Sequence, residues 1–193
     1  MKPTEFIESG ICFSFDASKW TYLIQYDAQT DYRKIQQAIE KTKAVDFIGI
    51  LDKSILSFIE VKNFKGRRIE NKSRIENGEE PLELEVAQKV RDTLAGITGA
   101  IRHSTHLKDH FEIYQQYLSN LKKDIHVVLW LEEDNHPHPL PVRNKRAKAL
   151  GGSLTIRLRQ KLIWLTPHVM VTDSVDNLYS NTLTVQFLPI TSF

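Results

Sequence analysis

Ile59-Glu60-Val61-Lys62 sets a carboxylate and an ammonium two residues apart inside an apolar run. Asp46 stands alone in a second run, Val45-Asp46-Phe47-Ile48-Gly49-Ile50-Leu51. Side chains on a strand alternate faces, so Glu60 and Lys62 share one. If Asp52-Lys53-Ser54 turns the chain back, Leu51 pairs with Ile55, and the same register sets Asp46 opposite Glu60 with Cβ atoms roughly 5 Å apart. Two carboxylates that close repel each other, and burial raises the cost. A cation relieves the repulsion: Lys62 offers one charge, a divalent ion two. Mg²⁺ takes oxygen ligands from one or two carboxylates and keeps several waters. It also lowers the pKa of a bound water and offsets charge on a phosphoryl oxygen. Lys62 would orient or deprotonate that water, or neutralise the phosphate. Mg²⁺ is therefore the expected cofactor, with Mn²⁺ able to take its place.

The triplet alone carries little, since Glu70-Asn71-Lys72 repeats it in a polar stretch. An edge hairpin with one wet face would show the same alternation, leaving Lys62 paired with Glu60 and Asp46 a surface acid. Against that reading, Phe47, Gly49 and Leu51 occupy one face of the first run and Ile48 and Ile50 the other. Both faces are apolar, so Asp46 does not belong to a wet one.

The elements around these runs must hold them in place. Residues 19–27 are aromatic and β-branched and predict a strand. Tyr32, Ile35 and Ile39 have helical spacing over 30–42, with Thr30 or Asp31 as the N-cap. Strands over 44–51 and 55–63 follow, then a polar connection over 65–81. Val86, Val90, Leu94, Ile97 and Ile101 mark a helix over 82–102, with Pro81 at its start. A second helix is expected over 111–121 and a buried strand over 125–133. Residues 153–165 fit a helix by Leu154, Leu158, Leu162 and Leu165, and a strand by the alternation at 154, 156 and 158; the helix is preferred. Strands in "HVMVTD" and over 182–189 complete the chain. Interleaved helices and strands with one direct hairpin give an α/β fold with a mixed sheet flanked by helices.

Helix, then "VDFIGI", then "LSFIEVK", then helix and strand resembles the PD-(D/E)XK nuclease superfamily, the restriction-endonuclease-like fold. Asp46 matches the motif's first acid and Glu60-Val61-Lys62 its E-x-K, over roughly residues 30–132. The resemblance implies an αβββαβ core with extra C-terminal strands, and Mg²⁺-dependent phosphodiester hydrolysis. It implies that Asp46, Glu60 and the Val61 carbonyl hold the metal. Val45 stands where the motif's name has Pro. The family also places a strand between the first helix and the acid, where Lys43-Ala44 leaves no room; strand 19–27 is one candidate for that sheet position. Some members add an acid on the first helix and a polar residue on the second. The nearest residues here are Glu40 and Gln88, both off the apolar stripes.

At 193 residues the chain fits one domain, with a core over about 19–133 and a C-terminal elaboration over 134–193. It is 41% hydrophobic with net charge +2, so only the distribution of charge can argue for a nucleic-acid partner. Lys65, Arg67, Arg68, Lys72 and Arg74 directly follow the E-x-K and would form a phosphate-contacting lip, or else a solvated loop. Residues 142–148 are a second basic cluster, and "HPHP" (136–139) lacks the spacing of a zinc site. His103 and His106 close the long helix, where cations suit its dipole. Cys12 is the one cysteine and is expected in the core; a reducing, cytoplasmic setting follows. No signal-peptide pattern and no membrane-length apolar run is present. No Gly-rich phosphate loop or Ser/His/Asp signature is found. The sequence thus reads as a metal-dependent nuclease acting on DNA, alone, as a homodimer or with an accessory protein. The alternative is an inactive nuclease-like binding or accessory subunit.

Overall fold

Glu8 and Ile11 flank a Ser9-Gly10 turn whose two residues take φ of 51° and 77°. That left-handed turn matches strand twist, so β1 (Thr4–Glu8) and β2 (Ile11–Phe15) form a hairpin that the sequence reading did not anticipate. Parity along β2 buries Ile11, Phe13 and Phe15 and leaves Cys12 only half-buried on the other face, not in the core as expected.

The computed structural model describes residues 2–66, 68–76, 78, 81–134 and 152–189, and of Arg68, Ile69, Glu70 and Lys72 the backbone alone. After the hairpin come β3 (Trp20–Gln25), α1 (Thr30–Ala38), β4 (Phe47–Leu51) and β5 (Ile55–Asn63). Then follow α2 (Arg68–Ile75), α3 (Leu82–His103), α4 (Lys108–Ser119), β6 (Asp124–Glu132), helix α5 over 152–162, β7 (Val169–Thr172) and β8 (Leu183–Phe187). A mixed five-stranded sheet runs β3-β4-β5-β6-β7, antiparallel on the β3 side and parallel from β5 to β7. The last strand leaves this sheet and pairs with β2, making a three-stranded antiparallel sheet β1-β2-β8. The mixed α/β sheet flanked by helices is the architecture expected.

Each face of the large sheet is covered by a different layer. Ile48, Ile50, Leu56, Phe58, Val127 and Leu129 meet the helices through Val86, Val90, Ile97, Phe111, Tyr114 and the α5 leucines. Phe47, Leu51, Ile59, Val61, Val128 and Trp130 meet Phe13, Phe15 and Leu183 of the small sheet. Wherever Asp46 and Glu60 point, then, they point into packed protein.

Two expectations need correction. Residues 65–81 are not one exposed connection, because they contain α2, whose Ile75 is buried in the helical core. The first helix ends at Ala38, not at 42. Lys41 takes φ 62°, the Thr42 carbonyl accepts from the Tyr32 hydroxyl, and Ile39 is exposed. Glu40 is exposed beyond the helix end. The "HPHP" segment and the cluster over 142–148 lie outside the described residues. No helix among the described residues is long and apolar enough to cross a membrane.

Candidate metal centre

The β4–β5 hairpin turns through Asp52 and Lys53, both at positive φ, and pairs Leu51 with Ile55 and Phe47 with Ile59. One step further, the Asp46 N–H donates to the Ile59 carbonyl (3.1 Å), and Asp46 Oδ2 accepts the Val61 N–H at 2.6 Å. Asp46 and Glu60 are therefore neighbours on the face turned to α3, 5% and 1% exposed. The Tyr26 N–H donates to the Asp46 carbonyl (2.7 Å), which draws Asp27, at the end of β3, into the same corner. Helix α3 fixes the approach to β4: Thr93 Oγ1 accepts the Val45 N–H and Asp92 Oδ2 the Lys43 N–H, each at 3.1 Å. Lys89 and Glu85 lie one and two turns before Thr93 on the same flank of α3, over the carboxylates.

Charges alternate across this corner. Lys89 Nζ stands 2.6 Å from Glu60 Oε1 and 3.8 Å from Asp46 Oδ1. Lys62 Nζ stands 2.9 Å from the same Glu60 oxygen and 2.9 Å from Glu85 Oε1, and Arg74 pairs with the other Glu85 oxygen. Arg74, Lys62 and Lys89 thus interleave with Glu85, Glu60 and Asp46. Two further acids adjoin this balanced row, since carboxylate oxygens of Glu8, Asp27 and Asp46 all lie within 4.8 Å of one another. Glu8 reaches in from the β1–β2 hairpin and is held by Gln25 Nε2 at 3.0 Å.

The protonation equilibria record this crowding. Burial, then the Glu60 charge, pushes the Asp46 carboxyl up to about 8. Burial, then Glu8, pushes Asp27 up to about 6. Burial raises Glu60 despite its two lysines. Burial alone would lower Lys62 and Lys89, but the surrounding carboxylates outweigh it and raise both, so both stay charged at neutral pH. Glu85 is lowered: burial opposes this, but Lys62 and Arg74 prevail.

The acids that could hold an ion among the described residues are Glu8, Asp27 and Asp46, with Glu60 beside Asp46. They offer carboxylate oxygens without Cys or His, a set that would suit Mg²⁺ or Mn²⁺ better than zinc. Glu60 Oε2 and Asp27 Oδ1 are buried without a hydrogen-bond partner among the described residues, as groups with capacity for a further ligand would be. The Val61 backbone lies at the centre through its bond to Asp46, while its side chain packs on the opposite face of the sheet.

The expected lip is partly committed elsewhere. Lys65 pairs with buried Glu132 at 3.0 Å and lies 3.4 Å over the Phe187 ring, and Arg74 pairs with Glu85. Arg67 and the side chains of Arg68 and Lys72 lie outside the described residues. Gln88 lines a groove between α3 and α5 with Leu84, Ala87 and Trp164, away from the carboxylates. Sequence reasoning missed Lys89, Glu85, Asp27 and Glu8. A usable signal existed for two of them: Glu85 and Lys89 are an i,i+4 acid–base pair bordering the apolar stripe of α3. Asp27 and Glu8 arrive through tertiary pairing, which no local pattern announces.

No curated protein and no solved structure matches the chain. A model of a family of unknown function, DUF6661, matches residues 29–184, a span that includes Asp46, Glu60, Lys62, Glu85 and Lys89 and begins after Glu8 and Asp27. With that match covering most of its length, the chain belongs to the DUF6661 family.

Proposed function

We propose that this protein is a metal-dependent nuclease that hydrolyses phosphodiester bonds, with DNA as the expected substrate. The observation that carries the reading is the pairing of two buried acids, Asp46 and Glu60, on adjacent strands, with Lys62 beside them and Glu60 Oε2 left without a hydrogen-bond partner among the described residues. The resemblance to PD-(D/E)XK nucleases adds support. Strand β3 pairs with β4, and on this reading it is the counterpart of the strand that the motif spacing left open, although it precedes α1 in the chain. Asp46 and Glu60 would hold the ion, with the Val61 carbonyl as the third ligand that the resemblance implies. When bound, Mg²⁺ supplies an acidified water and charge compensation for the phosphoryl oxygens.

The chain's own groups do the rest. Lys62 is held between Glu60 and Glu85, which fixes its ammonium and keeps it protonated. A lysine that is charged at neutral pH is a poor base. It acts by neutralising phosphate charge as this develops in the transition state, or by donating a proton to the leaving oxygen. The layer of α3 over the carboxylates excludes bulk water and strengthens those interactions. A second reading, a nuclease-like subunit that binds nucleic acid without cutting, draws on the two lysines that already compensate Glu60.

The test is Mg²⁺- or Mn²⁺-dependent cleavage of single-stranded, duplex and branched DNA, with RNA alongside. Lys62→Ala leaves Glu60 paired with Lys89 and Glu85 with Arg74, so the fold and the metal site should persist. The rate should nevertheless fall by about 10²–10⁴-fold. Cleavage undiminished in Lys62→Ala would trace the activity to a contaminant. Failure of the wild type to cut any substrate would leave the binding or accessory reading.

A further inference from the structure

Glu60 has more cations than it needs. Lys62 alone would satisfy its charge, and Lys62 is itself secured on its far side by Glu85. Lys89 crowds onto the same Glu60 oxygen at 2.6 Å, so two ammonium groups share one atom and repel. Its other carboxylate contact, to Asp46, is loose at 3.8 Å. Lys89 therefore bridges the same two acids that the reading above assigns to the metal. A divalent ion there would bring twice the charge and could also engage Glu60 Oε2, which has no partner among the described residues.

We propose that Lys89 is a tethered counter-cation: it holds the Asp46–Glu60 pair together while no metal is bound, and an incoming divalent ion displaces it. The inference rests on the metal-centre reading and adds a residue that the motif did not name. Displacement is local. Glu85, one turn earlier on α3 and already close enough for its charge to act on Lys89, can receive the ammonium after a change of side-chain torsions. The ion's two added charges are offset by the two further acids of the corner, Glu8 and Asp27, and in neither state do Asp46 and Glu60 stand as two bare acids in a buried place. Lys62 stays where it is, because its two carboxylate partners hold it from both sides. Lys89 thus sets the metal affinity and acts as a positioning residue for the two acids.

The experiment is calorimetric titration of Mn²⁺ alone into wild type, Lys89→Met and Lys89→Arg. Lys89→Met removes the competitor and should bind Mn²⁺ at least about tenfold more tightly, equivalent to about 1.4 kcal/mol, while melting lower than wild type without metal. Lys89→Arg keeps the charge and should stay near wild type. In parallel, the ammonium NMR signals of the wild type are followed through a Mg²⁺ titration. The Lys89 signal should move or vanish and the Lys62 signal should persist. Should Lys89→Met not fold, this titration decides alone. Equal or weaker Mn²⁺ binding by Lys89→Met while the wild type binds, or a Lys89 signal unmoved at saturation, would overturn the role of Lys89 and leave the metal centre intact. Absence of binding in every variant would overturn the metal centre and this inference with it.

Discussion

Asp46→Asn should stabilise the metal-free protein, and the gain should grow with pH. The wild-type carboxyl titrates at 3.8 when exposed and at about 8 in the fold, because burial and Glu60 oppose its ionisation. The unfolded chain releases this proton first. The contribution of Asp46 to stability is therefore greatest below about pH 3.8, falls as pH rises, and levels off above about 8. At about 1.36 kcal/mol per pH unit, the ceiling of the loss is about 5–6 kcal/mol. Asparagine is neutral throughout, and its amide oxygen can still accept the Val61 N–H. Lys89 gives up only its 3.8 Å contact and keeps Glu60. Relaxation of the neighbouring ammonium groups should consume about half of the ceiling, as expected where the effective dielectric is nearer 20 than 4. A gain of about 2–3 kcal/mol at pH 8.5 remains, or about 4–12 °C in Tm for a chain of this size. The assay is thermal unfolding with a chelator at pH 4, 6, 7 and 8.5. Millimolar Mg²⁺ should then raise the wild-type Tm and not that of Asp46→Asn, narrowing the gap. A variant that melts below wild type at pH 8.5, or a gap that does not shrink toward pH 4, would refute the account of Asp46 as a buried acid that Lys89 compensates only in part.

Elsewhere in the fold, Arg157 Nε pairs at 2.9 Å with Glu83, which is 2% exposed, so Arg157→Met should leave a buried acid unpaired and cost about 3–5 kcal/mol in urea denaturation. Adding Glu83→Leu to that variant should recover much of the loss; no recovery would mean that Arg157 acts mainly through its bonds to Ser153 and the Ile75 carbonyl. A Cβ at Gly96 would collide with the Tyr26 hydroxyl, so Gly96→Ala should cost about 1–3 kcal/mol. Tyr26→Phe, which deletes a buried hydroxyl with no hydrogen-bond partner among the described residues, should restore most of that; a double variant as weak as Gly96→Ala would place the clash elsewhere.

Where local pattern decides structure, the sequence was readable. The apolar stripe of α3 and the two-faced apolar run of β4 specify buried elements whatever surrounds them, and the Asp52-Lys53-Ser54 turn sets the register that brings Asp46 beside Glu60. The first hairpin was overlooked despite a legible signal, Ser9-Gly10 between two alternating segments. Other features depended on long-range pairing. Nothing in residues 183–187 says that they join β2 and not β7, and nothing around Asp27 or Glu8 says that they meet Asp46. Ile39 fits a helical period yet lies exposed, because the chain has to reverse at Lys41 to enter β4. Lys89 was passed over because attention to the apolar stripe of α3 treats its flanks as solvent, and here one flank lies over buried carboxylates.

The pairing of β2 with β8 bears on how the molecule assembles. Phe13 lies opposite Val185, so the small sheet closes one of the longest loops available to the chain. During synthesis the helices and the strands from β3 to β6 can gather while residues 183–187 are still to be made. Until those residues arrive, Phe47, Ile59, Val61 and Trp130 lack Leu183 and Val185 among the residues packed with them, and β2 keeps a free edge. An apolar sheet face beside an open strand edge is the kind of surface on which nascent chains associate with one another. Solubility on expression should therefore depend more on the last strand than its five residues and half-exposed pattern would suggest.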